Sequence, residues 1–252
     1  MSLGDATVEG FPRADSVYAI YDGHSGPQVA LLASKKLHRY ALKSASYAAG
    51  DTKAALVEAF ALTESDCARL HTAQRCSAGT TAAVAIVDNE RGRLHVANVG
   101  DTEALLVHRQ PMPQCWQLLT RKHKPSDPDE QARIDAAGGF VASDRVMGML
   151  AVSRALGDPS YKLPSCRYNA DLVSSEPHCV SVDLHPERDL CVLLACDGFW
   201  DVVTYEQGAD LVRRELMNGT NPRDAAEKLV KHALKQGTTD NVTVIVVLLH
   251  WT

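Results

Sequence analysis

The chain has no long apolar run, no basic surplus, no closely spaced cysteine pair, no internal repeat and no low-complexity tract, and each absence removes a class of protein. No window approaches the roughly 18 uninterrupted apolar residues of a membrane-spanning helix. The opening segment MSLGDATVEG carries neither the basic nor the apolar region of an export signal. A soluble protein is expected. Lys and Arg total 26 against 31 Asp and Glu, a formal charge of −5, which is the wrong sign for a surface that neutralises nucleic-acid phosphates. Neither nucleic acid nor a membrane is therefore expected as a partner. The cysteines, Cys67, Cys76, Cys115, Cys166, Cys179, Cys191 and Cys196, are 7 in number with no CxxC pair, which fits neither a disulfide framework nor a zinc ribbon. Their usage points to a reducing compartment, cytoplasmic or nuclear. Cys191 and Cys196 bracket the apolar run Val192–Ala195 and read as small core residues.

What is present is a chain of 252 residues, 45% hydrophobic, long enough to bury a substantial core. A β-branched and aromatic run from Ser16 to Tyr21 reads as a strand that stops at Asp22, Gly23 and His24. Pro27 then suits a first helical turn, and Val29, Leu32, Leu37, Tyr40 and Ala41 recur at helical spacing to about residue 46, with Lys35, Lys36 and Arg39 as the solvated face. Asp51 suits the cap of a second helix running to about Ala73. From Ala78 the period changes to short strands over 80–87, 93–99, 103–109 and 116–120, which read as an antiparallel meander. Residues 121–177, rich in Pro, Gly and charge, read as a flap with one helix over 129–137. Strands near 178–184 and 190–196, helices over 205–217 and 222–234, and a last strand over 242–249 follow. Helices, then strands, then helices again predict an α+β fold in one domain over 1–252, expected as a monomer.

Aspartate is disfavoured within strands, so its repeated placement where an apolar run ends needs a reason. Asp22 precedes Gly23, Asp197 precedes Gly198, Asp101 follows Val99 and Gly100, and Asp240 stands just before the last strand. A single Asp-Gly is ordinarily a tight turn, but Gly23 and Gly198 are expected to lead into helices and so are no obvious hairpins. Carboxylates gathered at one sheet edge raise one another's pKa unless a cation neutralises them. Oxygen-only ligands suit Mg²⁺ or Mn²⁺ far better than Zn²⁺, and the arrangement predicts a dinuclear site. His24 stands open as a zinc ligand, a general acid or a polar loop residue, with zinc the weakest because no second His or Cys follows at ligand spacing.

The segments YDGHSG (Tyr21–Gly26), SAGTTA (Ser77–Ala82), ANVGDTEALL (Ala97–Leu106), HKPSDPDEQARIDAAGGFV (His123–Val141), LAVSRALGD (Leu150–Asp158), ACDGFWDVV (Ala195–Val203) and TDNVTV (Thr239–Val244) resemble, in order, the signature segments of metal-dependent Ser/Thr protein phosphatases of type 2C. The resemblance runs from Tyr18 to Leu249. It implies a central β-sandwich of two antiparallel sheets flanked by helices on both outer faces. It implies that Asp22 bridges two metals, that Gly23 offers its carbonyl to the second, and that Asp197 and Asp240 complete the first. Asp101 with Asp197 would hold a weaker third ion, Asp201 would be a supporting carboxylate, and His24 would protonate the leaving alkoxide. The implied reaction is attack on phosphoserine or phosphothreonine by a metal-bridged hydroxide, with no phosphoenzyme. Cys191 and Cys196 lack the HCxxxxxR setting of a tyrosine phosphatase.

The resemblance is incomplete at its start, where the family carries a phosphate-gripping arginine and then a Glu-Asp pair. Asp5 best matches that aspartate, which puts Gly4 where the glutamate belongs and leaves no arginine before it; Glu9 is a poorer candidate. A truncated first strand and a weakened enzyme both account for this, and either predicts a weak second metal and reduced activity. Ser25 stands where many relatives have glycine. Phosphoproteins are the expected partners. The rival reading is a phosphatase-like interaction protein with weak or no activity. Arg145, Arg154 and Lys162, in the flap, either touch substrate or are solvated surface charges.

Overall fold

The computed structural model describes residues 15–110, 114–162 and 172–249, with the backbone of 2–3. Strands β1 (Ser2–Leu3), β2 (Ser16–Ile20) and β3 (Gly23–His24) lead into helices α1 (Gln28–Lys43), α2 (Ala45–Ala48) and α3 (Thr52–Gln74). Strands β4 (Gly79–Thr80), β5 (Ala82–Asp88), β6 (Arg93–Val99), β7 (Glu103–His108) and β8 (Trp116–Leu118) follow. The flap contributes α4 (Pro128–Ala136), β9 (Val141–Ala142), β10 (Arg145–Val146), β11 (Leu156–Gly157) and a 3-10 turn, Pro159–Tyr161. The chain then runs through β12 (His178–Asp183), β13 (Asp189–Ala195), α5 (Asp197–Trp200), α6 (Tyr205–Met217), α7 (Pro222–Lys235) and β14 (Val244–Leu248).

Two antiparallel sheets, ordered β1-β2-β5-β6-β12 and β14-β13-β7-β8, stack face to face. The side-chain period of two dictates this stacking, because every β5 position is apolar or buried and must find cover on both faces. Ala82, Val84 and Ile86 pack against α1 and α3, while Ala83, Ala85 and Val87 meet Leu106, Val192 and Leu194 of the second sheet. On β13 the roles divide the same way: Val192 and Leu194 face inward, and Cys191, Leu193 and Ala195 pack against α6 and α7 through Val212, Leu229 and Ala233. The result is a four-layer α/β/β/α sandwich. A smaller cluster around Ile134, Val146, Ala155 and Leu172 holds the flap together. No helix among the described residues is long and apolar enough to cross a membrane.

The helix caps follow the sequence signals. Asp51 accepts the Ala54 N–H at 3.0 Å, and Thr204 with Gln207 forms a reciprocal capping box at α6. Helix α1 ends at Lys43 and a separate turn, α2, takes its place, because Ser44 leaves helical geometry and caps that turn through Tyr47. Lys36 on the expected solvated face in fact reaches Asp66 of α3 at 2.8 Å.

Two expectations need correction. The run from 80 to 120 is not one meander: β6 pairs with β5 and β12, whereas β7 pairs with β8 and β13, so the chain changes sheet between Val99 and Glu103. Alternating strands cannot reveal such a crossing, since either sheet accepts the same pattern. Gly23 opens the two-residue strand β3, paired with β4, and α1 begins only at Gln28. Between them Ser25 adopts φ +57°, a left-handed conformation costing about 1–2 kcal/mol for a residue with a Cβ, a cost that glycine would not carry.

Candidate active site

Strand register brings the separated aspartates to one edge of the sandwich. Ile20 lies opposite Ala83, and Ala82 opposite Val99, so the residues following β2 and β6 emerge together. Ala195 lies opposite both Glu103 and Val244, which sets the end of β13 beside the crossing segment and beside the loop before β14. Asp22, Asp101, Asp197 and Asp240 occupy these positions, 218 residues apart at the extremes only in sequence. The Asp22 carbonyl accepts the Thr81 N–H at 2.9 Å, and the Thr81 and Thr102 hydroxyls meet at 2.7 Å, tying the Asp22 and Asp101 segments together. Gly198 packs so closely on the next loop that a Cβ there would lie 2.1 Å from the Asn241 carbonyl oxygen and 3.3 Å from the Asp240 Cβ. Asp240 itself is exposed and turns one carboxylate oxygen back to the Asn241 N–H at 2.6 Å.

The electrostatics of this edge are unbalanced. Burial, followed by the charges of Asp101 and Asp22, pushes the Asp197 carboxyl up to about 7. Burial likewise raises Asp22, opposed by its hydrogen bond with Asp197, while Asp101 and Asp240 add to the rise. Asp197 Oδ1 is buried without a hydrogen-bond partner. Ligand atoms of Asp22, Asp197 and Cys196 lie within 4.8 Å of one another. Cys196 is not free to act as a thiolate, because its sulfur donates to the Asn241 carbonyl at 3.3 Å, accepts from the Thr243 N–H at 3.2 Å, and is held protonated by burial. The donors left over are oxygens, and an orphaned carboxylate oxygen among mutually repelling aspartates fits a hard divalent cation.

His24 stands beside this cluster and is held by a residue that the sequence reading did not single out. Asp158 accepts from His24 Nε2 with both carboxylate oxygens at 2.8 Å. Burial pulls the imidazolium down, but the Asp158 hydrogen bond and charge, with Asp22 and Asp101 behind them, leave it above the ordinary histidine value. The pair can approach because residue 79 is glycine: a Cβ there would lie 2.1 Å from Asp158 Oδ2 and 2.4 Å from His24 Nε2. Asp158 closes the segment LAVSRALGD, but the sequence alone assigns it no role, because the Gly157-Asp158 step follows no strand-like run. Lys124 was also missed; its ammonium meets Asp101 at 2.6 Å.

These features, seven ordered motifs on a helix-covered sandwich with its acidic edge, match a known family: the model for protein phosphatase 2C aligns with residues 6–242. The chain belongs to the protein phosphatase 2C family. It is 34% identical to protein spalten of Dictyostelium discoideum, over 99% of this chain and 25% of that protein. It is 36% identical to protein phosphatase 2C homolog 1 of Schizosaccharomyces pombe, over 93% of this chain and 64% of that one. The chain thus spans less than two thirds of either relative. Among solved structures, a Caenorhabditis elegans sex determining protein superposes with a TM-score of 0.78 at 28% identity, over 94% of this chain and 57% of that one. A serine-threonine phosphatase 2C from Toxoplasma gondii shares the fold, with a TM-score of 0.82 at 19% identity, over 97% of this chain and 87% of that one.

Within this phosphatase 2C domain, the remaining expected residues fall as follows. Asp201 is exposed and pairs loosely with Lys122 at 3.4 Å, although its charge still reaches Asp197. Asp5, with Gly4 and Glu9, lies outside the described residues. Arg154 is neither a free phosphate contact nor a solvated charge, because it clamps buried Glu130 at 2.6 Å and the Glu176 carbonyl at 2.9 Å. Lys162 pairs with Glu64 at 3.0 Å, and Arg145 is exposed and donates to the Met149 carbonyl.

Proposed function

We propose that this chain hydrolyses phosphoserine and phosphothreonine in proteins with Mg²⁺ or Mn²⁺ as its resident cations. Asp22, the Gly23 carbonyl, Asp197 and Asp240 would hold two ions, and Asp101 with Asp197 a weaker third. Such ions, when bound, supply a low-pKa water and neutralise charge on the phosphoryl oxygens. The observation supporting the proposal is the set of converging carboxylates in which Lys124 meets only Asp101 while the Asp197 Oδ1 is buried and unpartnered.

The chain's own residues do the rest. The His24 Nε2–H donates to Asp158, which leaves Nδ1 as the ring nitrogen that delivers a proton to the departing serine or threonine oxygen. Because Asp158 and the neighbouring aspartates keep this ring cationic above the usual pH, a proton is available near neutrality. Lys124 holds Asp101 in place from the flap side. Burial and the neighbouring aspartates disfavour the Asp197 anion, and a cation beside it would favour the charged form, so catalysis and cation binding would be coupled through that group.

The test is hydrolysis of a phosphothreonine peptide with Mn²⁺, followed by EDTA. Chelator-sensitive release of phosphate is expected. No release above the EDTA control sinks the enzyme reading and leaves the phosphatase-like interaction protein.

A further inference from the structure

Beside the His24–Asp158 pair a cavity of about 540 Å³ opens toward the flap, walled by Met147, Met149, Leu150, Tyr161 and Leu172, with Asp158 in its lining. Its volume lies within the roughly 300–1,000 Å³ of ordinary ligand clefts. Among the described residues the lining holds no lysine or arginine, and its one carboxylate is already engaged by His24 at 2.8 Å. Among these residues an acidic group would meet no counter-charge, whereas an apolar side chain would meet two methionines, two leucines and a tyrosine ring, with Ser25, Ser77 and Ser160 as the polar part of the wall. Methionine walls adapt to apolar groups of different shape. Met149 is 65% exposed, so its side chain is not core and is open to a partner.

Three of the six non-glycine left-handed residues among those described lie in the same wall, the others being Arg75, Ser143 and Asp144. Ser25, Met147 and Asp158 all line the cavity and all have left-handed φ, at 57°, 53° and 54°. Non-glycine residues avoid this region, and those that occupy it gather at ligand clamps and active sites.

We propose that this cavity is a specificity subsite that takes an apolar side chain of the phosphoprotein, close in sequence to the phosphorylated serine or threonine. This rests on the phosphatase reading above. The occupant follows from continuity: Asp158 belongs both to the cavity wall and to the pair that meets the leaving oxygen. An extended substrate advances about 3.3 Å per residue, so a side chain within a few residues of the phosphorylated one falls over the cavity.

The experiment compares two phosphothreonine peptides that differ only in carrying leucine or asparagine at the flanking positions, on the wild-type chain and on Met149→Glu. The wild type is expected to favour the leucine peptide in kcat/KM by roughly tenfold or more, the discrimination that an apolar pocket provides. In Met149→Glu that ratio should fall toward one through KM, and a ratio cancels any loss common to both peptides. Equal kcat/KM on the wild type, or a preference untouched by Met149→Glu, overturns the subsite. Absence of any p-nitrophenyl phosphate turnover is a separate result that defeats the phosphatase reading. The subsite is then judged by fluorescence anisotropy with the same labelled peptides: tighter binding of the leucine peptide, lost in Met149→Glu, supports it, and equal Kd values overturn it.

Discussion

Glu130 in the flap and Asp197 at the end of β13 are both withdrawn from water, yet Glu130 is met by Arg133 at 2.9 Å and Arg154 at 2.6 Å, whereas Asp197 has Asp22 and Asp101 for neighbours. Burial alone would raise both carboxyls. At Glu130 the two guanidinium groups overcome it and bring the value down to about 2, while at Asp197 the neighbouring carboxylates reinforce it and push the value up to about 7. One carboxylate is neutralised by the protein and ties the flap together internally, since its partner Arg133 also donates to the Ser153 carbonyl and the Ser153 N–H donates to the His123 carbonyl at 3.1 Å. The other is surrounded by carboxylates that raise it. Buried charge that is paired internally marks architecture, and buried charge that is not paired marks a site.

The largest effect is expected at Asp197. Asp197→Asn should lower phosphatase turnover on the order of 10³-fold, equivalent to several kcal/mol of lost charge stabilisation. The same substitution should raise the melting temperature in EDTA, because it removes a repelled charge. Turnover kept at the wild-type level, or a lower melting temperature in EDTA, breaks the comparison. Glu130→Ala should do the reverse and destabilise by about 3–5 kcal/mol in urea unfolding, since two arginines lose their shared partner. The sign with pH is also set: the Glu130 value is depressed from 4.5 to about 2, so its contribution is complete above 4.5 and is lost as pH falls toward 2. The gap between wild type and Glu130→Gln should therefore close across that window, and a gap that widens on acidification contradicts the pairing.

A smaller effect is expected from Gly79→Ala, whose methyl would displace Asp158 from His24. It should reduce kcat on phosphoserine peptides by roughly 10²-fold, the size of a lost general acid, and affect p-nitrophenyl phosphate less because its leaving group needs no proton. Equal losses on both substrates would mean that the pair does not act on the leaving oxygen. Smallest is Lys122→Ala. The partner Asp201 is exposed and 3.4 Å away, so unfolding should shift by less than about 1 kcal/mol.

The strand-end aspartates were visible in the linear sequence because each breaks a local rule, a carboxylate set against an apolar run. Asp158 ends a family segment but breaks no such rule, because β11 before it is only Leu156–Gly157 and offers no run to interrupt. Arg154 reads as a surface charge until Glu130, 24 residues away in the chain, is folded against it. The change of sheet between β6 and β7 was hidden for a related reason: β5 and β7 are buried on both faces, so their patterns do not say which sheet each joins. Lys124 follows His123 in a polar segment, and it reaches Asp101 because the His123 ring and N–H bond to the Gly100 carbonyl and Asn98 bonds to the Arg121 backbone.

The sequence by itself determined the element types, their order, the family motifs and the kind of donor available, because those depend on local periodicity and on side-chain chemistry. Only the tertiary structure decided which carboxylates face one another, which are balanced by arginine, that Asp158 holds His24, and that a cavity with methionine and leucine walls opens beside them. Each of these is a distance between residues remote in the chain, set by strand register and by layer packing, and neither is written into any local window of sequence.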